Sequence, residues 1–311
     1  MSSASVQPRQ AGAVFLARLA AEPDRSIGQV AIETLLVVLE NSRASTVALL
    51  SKELEEAVEQ ILETDHSQAS VRSASEIFRR FISLAADKHS TDFLADFRER
   101  GQHFAQRVAT SRDRIARFSR DFFTDDQRIL THSYSKCVLH GLLAAHKDGV
   151  ANMHVFVAES RPDESGRKMA EALKEAGVKA TVVLDSAVAY LMESIDMVLV
   201  GAEGVVETGG VINKIGTLGV AVAAAAFHKP LYVMAESIKF VKEFPLNQAD
   251  IADEFKYRTS VLVRSKSNPS ELEDAHPQVD YTPPRYVQLL FTDLGILTPA
   301  AVGDELIKLY T

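Results

Sequence analysis

Residues 198–217 read VLVGAEGVVETGGVINKIGT, and this stretch decides the fold. An apolar run leads into a Gly-rich segment that carries Glu203, Asn213 and Lys214, and Gly216 precedes a second apolar run. The pattern predicts a buried strand followed by a loop and a helix. In an open α/β sheet, ligands bind beyond the carboxyl ends of the strands, where backbone amides attract phosphate. The alternative is an ordinary loop between a strand and a helix, because the stretch is neither a dinucleotide-binding fingerprint nor a P-loop.

Short apolar runs alternate with helical segments on both sides of this stretch. We therefore expect a Rossmann-like, doubly wound parallel-sheet domain over residues 125–311. The predicted strands are 129–131, 154–158, 180–184, 197–200 and 231–235, and the predicted helices are 134–147, 163–176, 186–194, 217–228 and 299–310. Residues 264–284 are rich in Ser, Pro and charge, which predicts an exposed loop.

The chain upstream of residue 125 has a different pattern. Residues 13–124 show apolar positions at helical spacing and no alternation typical of strands, which predicts an α-helical domain. The first twelve residues are polar and carry no apolar signal-peptide core, so we expect a disordered terminus over 1–12. The fold class is thus α/β, with an N-terminal helical domain and a C-terminal Rossmann-like domain.

The composition excludes several classes of protein. The 311 residues are 46% hydrophobic and carry a net charge of −8, which argues against a nucleic-acid binder that relies on bulk charge. The single cysteine, Cys137, rules out an internal disulfide and is more typical of a small core residue than of a catalytic thiol. No run of 18 apolar residues is present, so we expect no membrane span, and a cytosolic location.

Four C-terminal motifs carry a family resemblance. They are GAEGVVETGGVINKIGT (201–217), AESIKFVKEFPLNQADI (235–251), HPQVDYTPP (276–284) and LLFTDLGILTPAAVGDELIKLY (289–310). With them the chain resembles the superfamily of ribose-1,5-bisphosphate and methylthioribose-1-phosphate isomerases. It resembles most closely the non-enzymatic branch, the regulatory subunits of eukaryotic translation initiation factor 2B, and within that branch the alpha type.

This resemblance implies a function and a set of partners. It implies a non-catalytic regulatory subunit of the guanine-nucleotide exchange factor for initiation factor 2, without cofactor or metal. The implied partners are a second copy of the chain, the other subunits of the factor, and initiation factor 2, especially in its phosphorylated form during stress. A sugar phosphate or nucleotide is a further implied ligand. The alternative function is that of an active sugar-phosphate isomerase or a phosphate-binding sensor.

Two positions discriminate between a binding subunit and an isomerase. In the resembled enzymes a cysteine after the first strand shuttles a proton together with an aspartate in a GAD motif. The corresponding positions here are Ser133 in LTHSYS and Glu203 in GAEG. A serine hydroxyl is a poor acid–base catalyst near neutral pH unless a base activates it. Glutamate displaces the carboxylate by roughly 1 Å, which is enough to cost substantial rate. Both changes predict a vestigial catalytic site.

Several polar residues follow the predicted strands and should meet at one edge of the sheet. The candidate ligand-binding residues for a phosphate or sugar phosphate are Ser133, Arg161, Asp185, Glu203, Asn213 and Lys214. Arg161 is a plausible phosphate partner because its guanidinium group matches phosphate geometry. Asp185 can instead cap the next helix, and His132 can hydrogen-bond at the strand end without binding a ligand. A pocket that binds nothing is the plain alternative.

Two segments are candidate interfaces. Phe240, Phe244 and Leu246 belong to an apolar cluster that is either core or, if exposed, a surface for pairing between α/β domains, as the family likeness implies. Thr46 follows Asn41 and Arg43 in a loop between two predicted helices. Thr46 is a good N-cap residue, and the loop could also lie near the phosphorylated partner.

Overall fold

The computed structural model describes residues 8–22, 25–64, 66–83, 93–255 and 277–310. The chain divides into two compact units, one formed by Met1–Thr110 with Ile307–Thr311 and the other by Ser111–Leu306. We call them the helical unit and the α/β unit. The helix that starts at Ser111 belongs to the α/β unit, so this unit begins upstream of the expected boundary at residue 125.

The helical unit is built around one buried helix. Its helices are α1 Ala11–Ala21, α2 Ile27–Asn41, α3 Val47–Leu62, α4 Gln68–Ser83 and α5 Phe93–Ala109. Helix α2 contacts each of the other four, and its Val30, Leu35 and Leu39 are fully buried. Burial of apolar side chains on a central helix supplies most of the stability of such a bundle. The predicted helical character of this region is confirmed.

The N-terminus is more ordered than the sequence predicts. Residues Pro8–Gln10 form a 3-10 helix and α1 begins at Ala11, within the segment 1–12 that we expected to be disordered. The physical reason is packing, because Ala11 and Phe15 are both fully buried. Residues 1–7 lie outside the described residues.

The α/β unit contains the strands and the remaining helices. The strands are β1 Arg128–His132, β2 His154–Ala158, β3 Lys179–Val183, β4 Met197–Val200, β5 Gly204–Val206, β6 Val211–Lys214, β7 Leu231–Met234, β8 Phe240–Val241, β9 Val279–Thr282, β10 Leu289–Thr292 and β11 Gly295–Leu297. The helices are α6 Ser111–Ser119, α7 Lys136–Lys147, α8 Ser165–Glu175, α9 Val188–Leu191, α10 Thr217–Ala226 and α11 Val302–Tyr310, whose last residues belong to the helical unit. The five predicted strands are all present.

Seven strands form the main sheet in the order β11-β10-β7-β4-β1-β2-β3. All neighbours are parallel except β11, which pairs antiparallel with β10. Without β11 this is the doubly wound Rossmann order, in which the direction of winding reverses between β1 and β4. The predicted fold class is confirmed, and ligands of such sheets bind at the reversal point.

A second sheet with the order β8-β5-β6-β9 is absent from the sequence-based prediction. Residues 204–214, interpreted as a Gly-rich loop, form the antiparallel pair β5 and β6. Strand β9 lies in the segment 264–284 that we expected to be an exposed loop, and it pairs with β6. Because all four residues of β9 are buried, its backbone needs the partners that this ladder provides. Residues 264–276 of that segment lie outside the described residues.

The core of the α/β unit fills the space between the main sheet and its helices. Fully buried members include Ile129, Val155, Leu199 and Leu142. Gly166 in the first turn of α8 allows this helix to start against the end of β2, since a Cβ atom there would lie 1.9 Å from the Ala158 carbonyl oxygen. In the described part of the chain, no helix is long and apolar enough to cross a membrane.

Candidate functional site

A cleft opens at the carboxyl ends of β1 and β4, where the winding of the sheet reverses. Its lining consists of His132, Ser133, Tyr134, Ser135, Ser165, Glu203, Asn213 and Lys214. Four of the predicted residues, Ser133, Glu203, Asn213 and Lys214, therefore do come together. Among the described residues, no group of three or more His, Cys, Asp or Glu side chains is placed to hold a metal ion.

Ser133 follows β1 directly and adopts a left-handed backbone conformation with φ of 64°. Its side chain is buried, and its Oγ atom lies 2.8 Å from the Oγ atom of Ser165 in the first turn of α8. A hydroxyl that bonds to another hydroxyl has no base to take its proton. The neighbour that could act as a base, His132, has other partners.

His132 is a neutral structural histidine. Its Nε2 atom lies 2.8 Å from the Ile215 carbonyl oxygen, which can only accept a hydrogen bond, so Nε2 carries the proton. Its Nδ1 atom then accepts a hydrogen bond from the Ser160 hydroxyl at 3.2 Å. Burial lowers the pKa of His132 and outweighs the bond to Ile215. Both ring nitrogens are committed, which agrees with the structural alternative stated for this residue.

Lys214 at the end of β6 forms a buried ion pair. Its Nζ atom lies 2.8 Å from the Oδ2 atom of Asp163, and the two side chains are 10% and 3% exposed. Burial acts to raise the pKa of Asp163, but the Lys214 ammonium and the bonds from Ser165 outweigh it and hold that pKa below its ordinary value. The Asp163 carboxylate is therefore charged near neutral pH.

Asp163 also holds the N-terminus of α8. Its Oδ1 atom accepts a hydrogen bond of 3.0 Å from the backbone N–H of Ser165, the first residue of that helix. One carboxylate thus lies between an ammonium group and a helix N-terminus, and both are groups that attract anions. The sequence-based prediction does not include Asp163, although an Asp at the start of a predicted helix is a typical capping signal.

Asp280 on β9 has the corresponding role at the N-terminus of α10. Its Oδ2 atom accepts hydrogen bonds from the backbone N–H groups of Gly216 at 2.8 Å and Leu218 at 3.1 Å. Burial raises the pKa of Asp280 to about 6, although these two bonds act in the opposite direction. The sequence placed Asp280 in an exposed loop, so its role could not be predicted.

Arg161 and Asp185 do not line the cleft. The Arg161 side chain is 56% exposed and forms ion pairs with Glu164 at 2.6 Å and Glu159 at 3.5 Å. The Asp185 carboxylate accepts hydrogen bonds from the backbone N–H groups of Ser160 at 2.9 Å and Arg161 at 2.7 Å. The expected place of Arg161 in the cleft lining is therefore wrong, because Glu159 and Glu164 hold its side chain on the surface, and its role as a phosphate partner stays a prediction.

Glu203 and Asn213 complete the cleft. The Asn213 Nδ2 atom donates to the Thr217 hydroxyl at 3.1 Å, and the Glu203 backbone N–H donates to the Ile212 carbonyl at 2.9 Å. Glu203 follows β4 and is half-buried. Its carboxylate has no hydrogen bond within the described residues, which distinguishes it from Asp163 and Asp280.

The candidate interface residues fall into two groups. Phe240 lies on β8 with no exposure, so its assignment to an interface is wrong and it belongs to the core. Phe244 and Leu246, in contrast, are 60% and 77% exposed. Thr46 is the N-cap of α3 and accepts a hydrogen bond of 3.2 Å from the Leu49 N–H. Cys137 is buried, and burial raises the pKa of its thiol, as for a core cysteine.

Comparison with known proteins connects this geometry to a family. The model of the initiation factor 2 subunit family matches residues 20–299. The chain is 52% identical to translation initiation factor eIF2B subunit alpha of Caenorhabditis elegans over 301 residues, which cover 95% of this chain and 97% of that protein. It is 30% identical to ribose 1,5-bisphosphate isomerase of Thermococcus kodakarensis, with 90% and 88% covered.

Solved structures of similar fold agree with this grouping. The structure of eIF2B beta from Chaetomium thermophilum matches with a TM-score of 0.74 at 18% identity, over 97% of this chain and 92% of that chain. A translation initiation factor eIF-2B from Pyrococcus horikoshii OT3 matches with a TM-score of 0.67 at 23% identity, over 91% and 97%. At these identities the likeness concerns the fold.

Proposed function

Because the chain belongs to the initiation factor 2 subunit family, we propose that it is a non-catalytic regulatory subunit, of the alpha type, of the guanine-nucleotide exchange factor for translation initiation factor 2. The identity of 52% over nearly the whole length of a protein named as that subunit supports the proposal. It works in the cytosol, where its partners in translation are present.

The observation that carries the non-catalytic part of the proposal is the chemistry of the cleft. The Ser133 hydroxyl bonds to the Ser165 hydroxyl, and the neutral His132 beside it has both nitrogens engaged. Proton transfer between sugar carbons needs an acid and a base within hydrogen-bond reach of the substrate. Of the two vestigial positions, Glu203 alone presents an ionisable group. The cleft is therefore suited to binding without isomerisation.

The proposed partners are a second copy of the chain and the other subunits of the factor. The α/β unit presents Phe244 and Leu246 on its surface within a few residues of each other. Exposed apolar groups of this size are typical of protein interfaces. We assign Phe244 and Leu246 to the interface of a homodimer, which bridges two copies of the remaining assembly. We assign the helical unit, including the loop before Thr46, to contact with phosphorylated initiation factor 2.

Sedimentation velocity tests the dimer. At micromolar concentration the chain should sediment as a dimer, and Phe244→Asp should shift it toward monomer without lowering its melting temperature. Tyr190→Asp is the matched control, because Tyr190 is 86% exposed and lies outside this segment. A monomer in the unmodified protein, or an equal effect of both variants, would contradict the proposed interface.

Reconstitution tests the regulatory function. Nucleotide exchange on initiation factor 2 should be measured with the other subunits, with and without this chain, and with phosphorylated initiation factor 2 added. We expect phosphorylated factor to inhibit exchange strongly when the chain is present and weakly when it is absent. Equal inhibition in both assemblies would overturn the proposal.

The cleft is also proposed to bind a phosphorylated sugar or nucleotide weakly. Lys214 and the N-terminus of α8 beside Ser165 are its anion-attracting groups. Since the net charge is −8, bulk attraction cannot recruit an anion, and these local groups must do so. Calorimetry with a panel of sugar phosphates tests this, and the absence of any binding at millimolar concentration would refute it.

A further inference from the structure

Asp163 lies at the place where the two anion-attracting groups of the cleft converge. Its Oδ2 atom is 2.8 Å from the Lys214 Nζ atom, and its Oδ1 atom accepts the N–H of Ser165 at 3.0 Å. The side chain is 3% exposed and does not line the cleft, whereas Lys214 and Ser165 both do. A carboxylate that contacts an ammonium group and a helix N-terminus has the same partners that a bound phosphate group would have.

We infer that Asp163 is an internal anion that competes with phosphorylated ligands for Lys214 and the N-terminus of α8, and so sets the affinity of the cleft. This inference rests on the proposed function of the cleft as a binding site for phosphorylated compounds. A ligand phosphate must share Lys214 with Asp163 or draw it away. Either change costs part of a buried ion pair, which lowers the net free energy of binding.

The other anion-attracting groups nearby are occupied by other carboxylates, so Lys214 and the N-terminus of α8 are the groups for which Asp163 and a ligand would compete. The N–H groups of Gly216 and Leu218 at α10 are bound by Asp280. Arg161 is paired with Glu159 and Glu164 on the surface. The lowered pKa of Asp163 agrees with a charge that is present at all pH values near neutrality, so the competition is permanent rather than switched by pH.

Binding of inorganic phosphate and of ribose 5-phosphate to the full chain, measured by calorimetry, tests the inference. Asp163→Asn removes the charge while its amide oxygen can still accept the Ser165 N–H. We expect this variant to bind both probes at least about tenfold more tightly than the unmodified chain, a change of 1.4 kcal/mol. Asp163→Ser also keeps an acceptor for that N–H and leaves more room, and it replaces the first variant if that one fails to fold.

Glu164→Gln is the matched control, because it removes one negative charge from the neighbouring residue, which contacts Arg161 and Arg167 but not Lys214. Its affinity should stay within about twofold of the unmodified chain. Adding Lys214→Met to Asp163→Asn should abolish the gain. Equal affinity of the unmodified chain and a folded Asp163 variant, or an equal gain in Glu164→Gln, would overturn the inference and leave the proposed ligand class intact. If neither the unmodified chain nor the folded variants bind either probe at millimolar concentration, the proposed ligand class fails as well.

Discussion

Asp163 and Asp280 are two buried carboxylates at the N-termini of two helices, yet their surroundings give them opposite properties. Asp163 faces the Lys214 ammonium at 2.8 Å, and its pKa is held below the ordinary value. Asp280 accepts two backbone N–H bonds but faces no ammonium in the described residues, and burial raises its pKa to about 6. At Asp280 two amide donors do not outweigh burial, whereas at Asp163 the Lys214 ammonium together with the bonds from Ser165 does, so the close counter-ion is the main difference between the two sites.

The two carboxylates therefore contribute to stability in opposite directions with pH. Because folding lowers the pKa of Asp163, its carboxylate stabilises the folded state above pH 3.8, the ordinary pKa of the group. This stabilisation is lost as the pH falls toward the lower pKa of the folded state. The raised pKa of Asp280 means that the folded state is favoured while Asp280 is protonated, and that stability falls as the pH rises from 3.8 through about 6.

The largest expected effect comes from breaking the ion pair on the Asp163 side. Lys214→Met leaves the Asp163 carboxylate buried without its ammonium partner, which should cost roughly 3–5 kcal/mol of unfolding free energy. Urea denaturation at pH 7 measures the change. Combining Lys214→Met with Asp163→Asn should recover much of the loss, because no charge is then stranded. A double variant as unstable as the single one would mean that the ion pair is not the cause.

The Asp280 side should show a pH dependence of somewhat smaller size. Between pH 4 and pH 7 the unmodified chain should lose up to about 3 kcal/mol of stability relative to Asp280→Asn, because the pKa of Asp280 is raised by about two units. The amide oxygen of the variant can still accept the bonds from Gly216 and Leu218. Stability curves that stay parallel across this pH range would contradict the assigned cause.

Substitution of Asp185 should have the smallest effect on stability, because this carboxylate has similar backbone bonds but is partly exposed rather than buried. Its carboxylate also accepts two backbone N–H bonds, from Ser160 and Arg161, but its side chain is 34% exposed. Asp185→Ala should cost roughly 1–2 kcal/mol, the value of the lost hydrogen bonds in a partly solvated site. Asp185→Asn should cost less, because one acceptor oxygen remains. Thermal unfolding of the unmodified chain and the two variants measures these losses. A larger loss in either variant would contradict the assignment of the effect to partly solvated hydrogen bonds.

Five of the seven strands of the main sheet could be predicted from the sequence, because each is a short apolar run next to a helical segment, whereas β10 and β11 are absent from the prediction. The second sheet could not be predicted, because β5 and β6 are short, are joined by a turn that contains Gly209 and Gly210, and pair with β8 and β9 far along the chain. Tertiary context commonly overrides local pattern in such short strands.

The candidate site was predicted in part for the same reason. Ser133 and Glu203 follow strands of the main sheet, whose topology brings the strand ends together, and Asn213 and Lys214 are the last residues of β6. The pairing of Asp163 with Lys214 and of Asp280 with Gly216 and Leu218 depends on contacts between distant segments, which no local pattern identifies, whereas the capping bond from Ser165 to Asp163 is local. Arg161 was assigned to the cleft from its chemistry alone, and its own neighbours Glu159 and Glu164 hold it on the surface.

Internal carboxylates occupy the anion-attracting groups around the cleft. We propose that the cleft therefore carries out no isomerisation. The most direct test is to incubate the purified chain with ribose 1,5-bisphosphate and to follow the phosphorus resonances of the sugar by NMR. We predict a spectrum that stays identical to that of a protein-free control. Conversion that rises with the protein concentration, and that Glu203→Ala abolishes, would contradict the account.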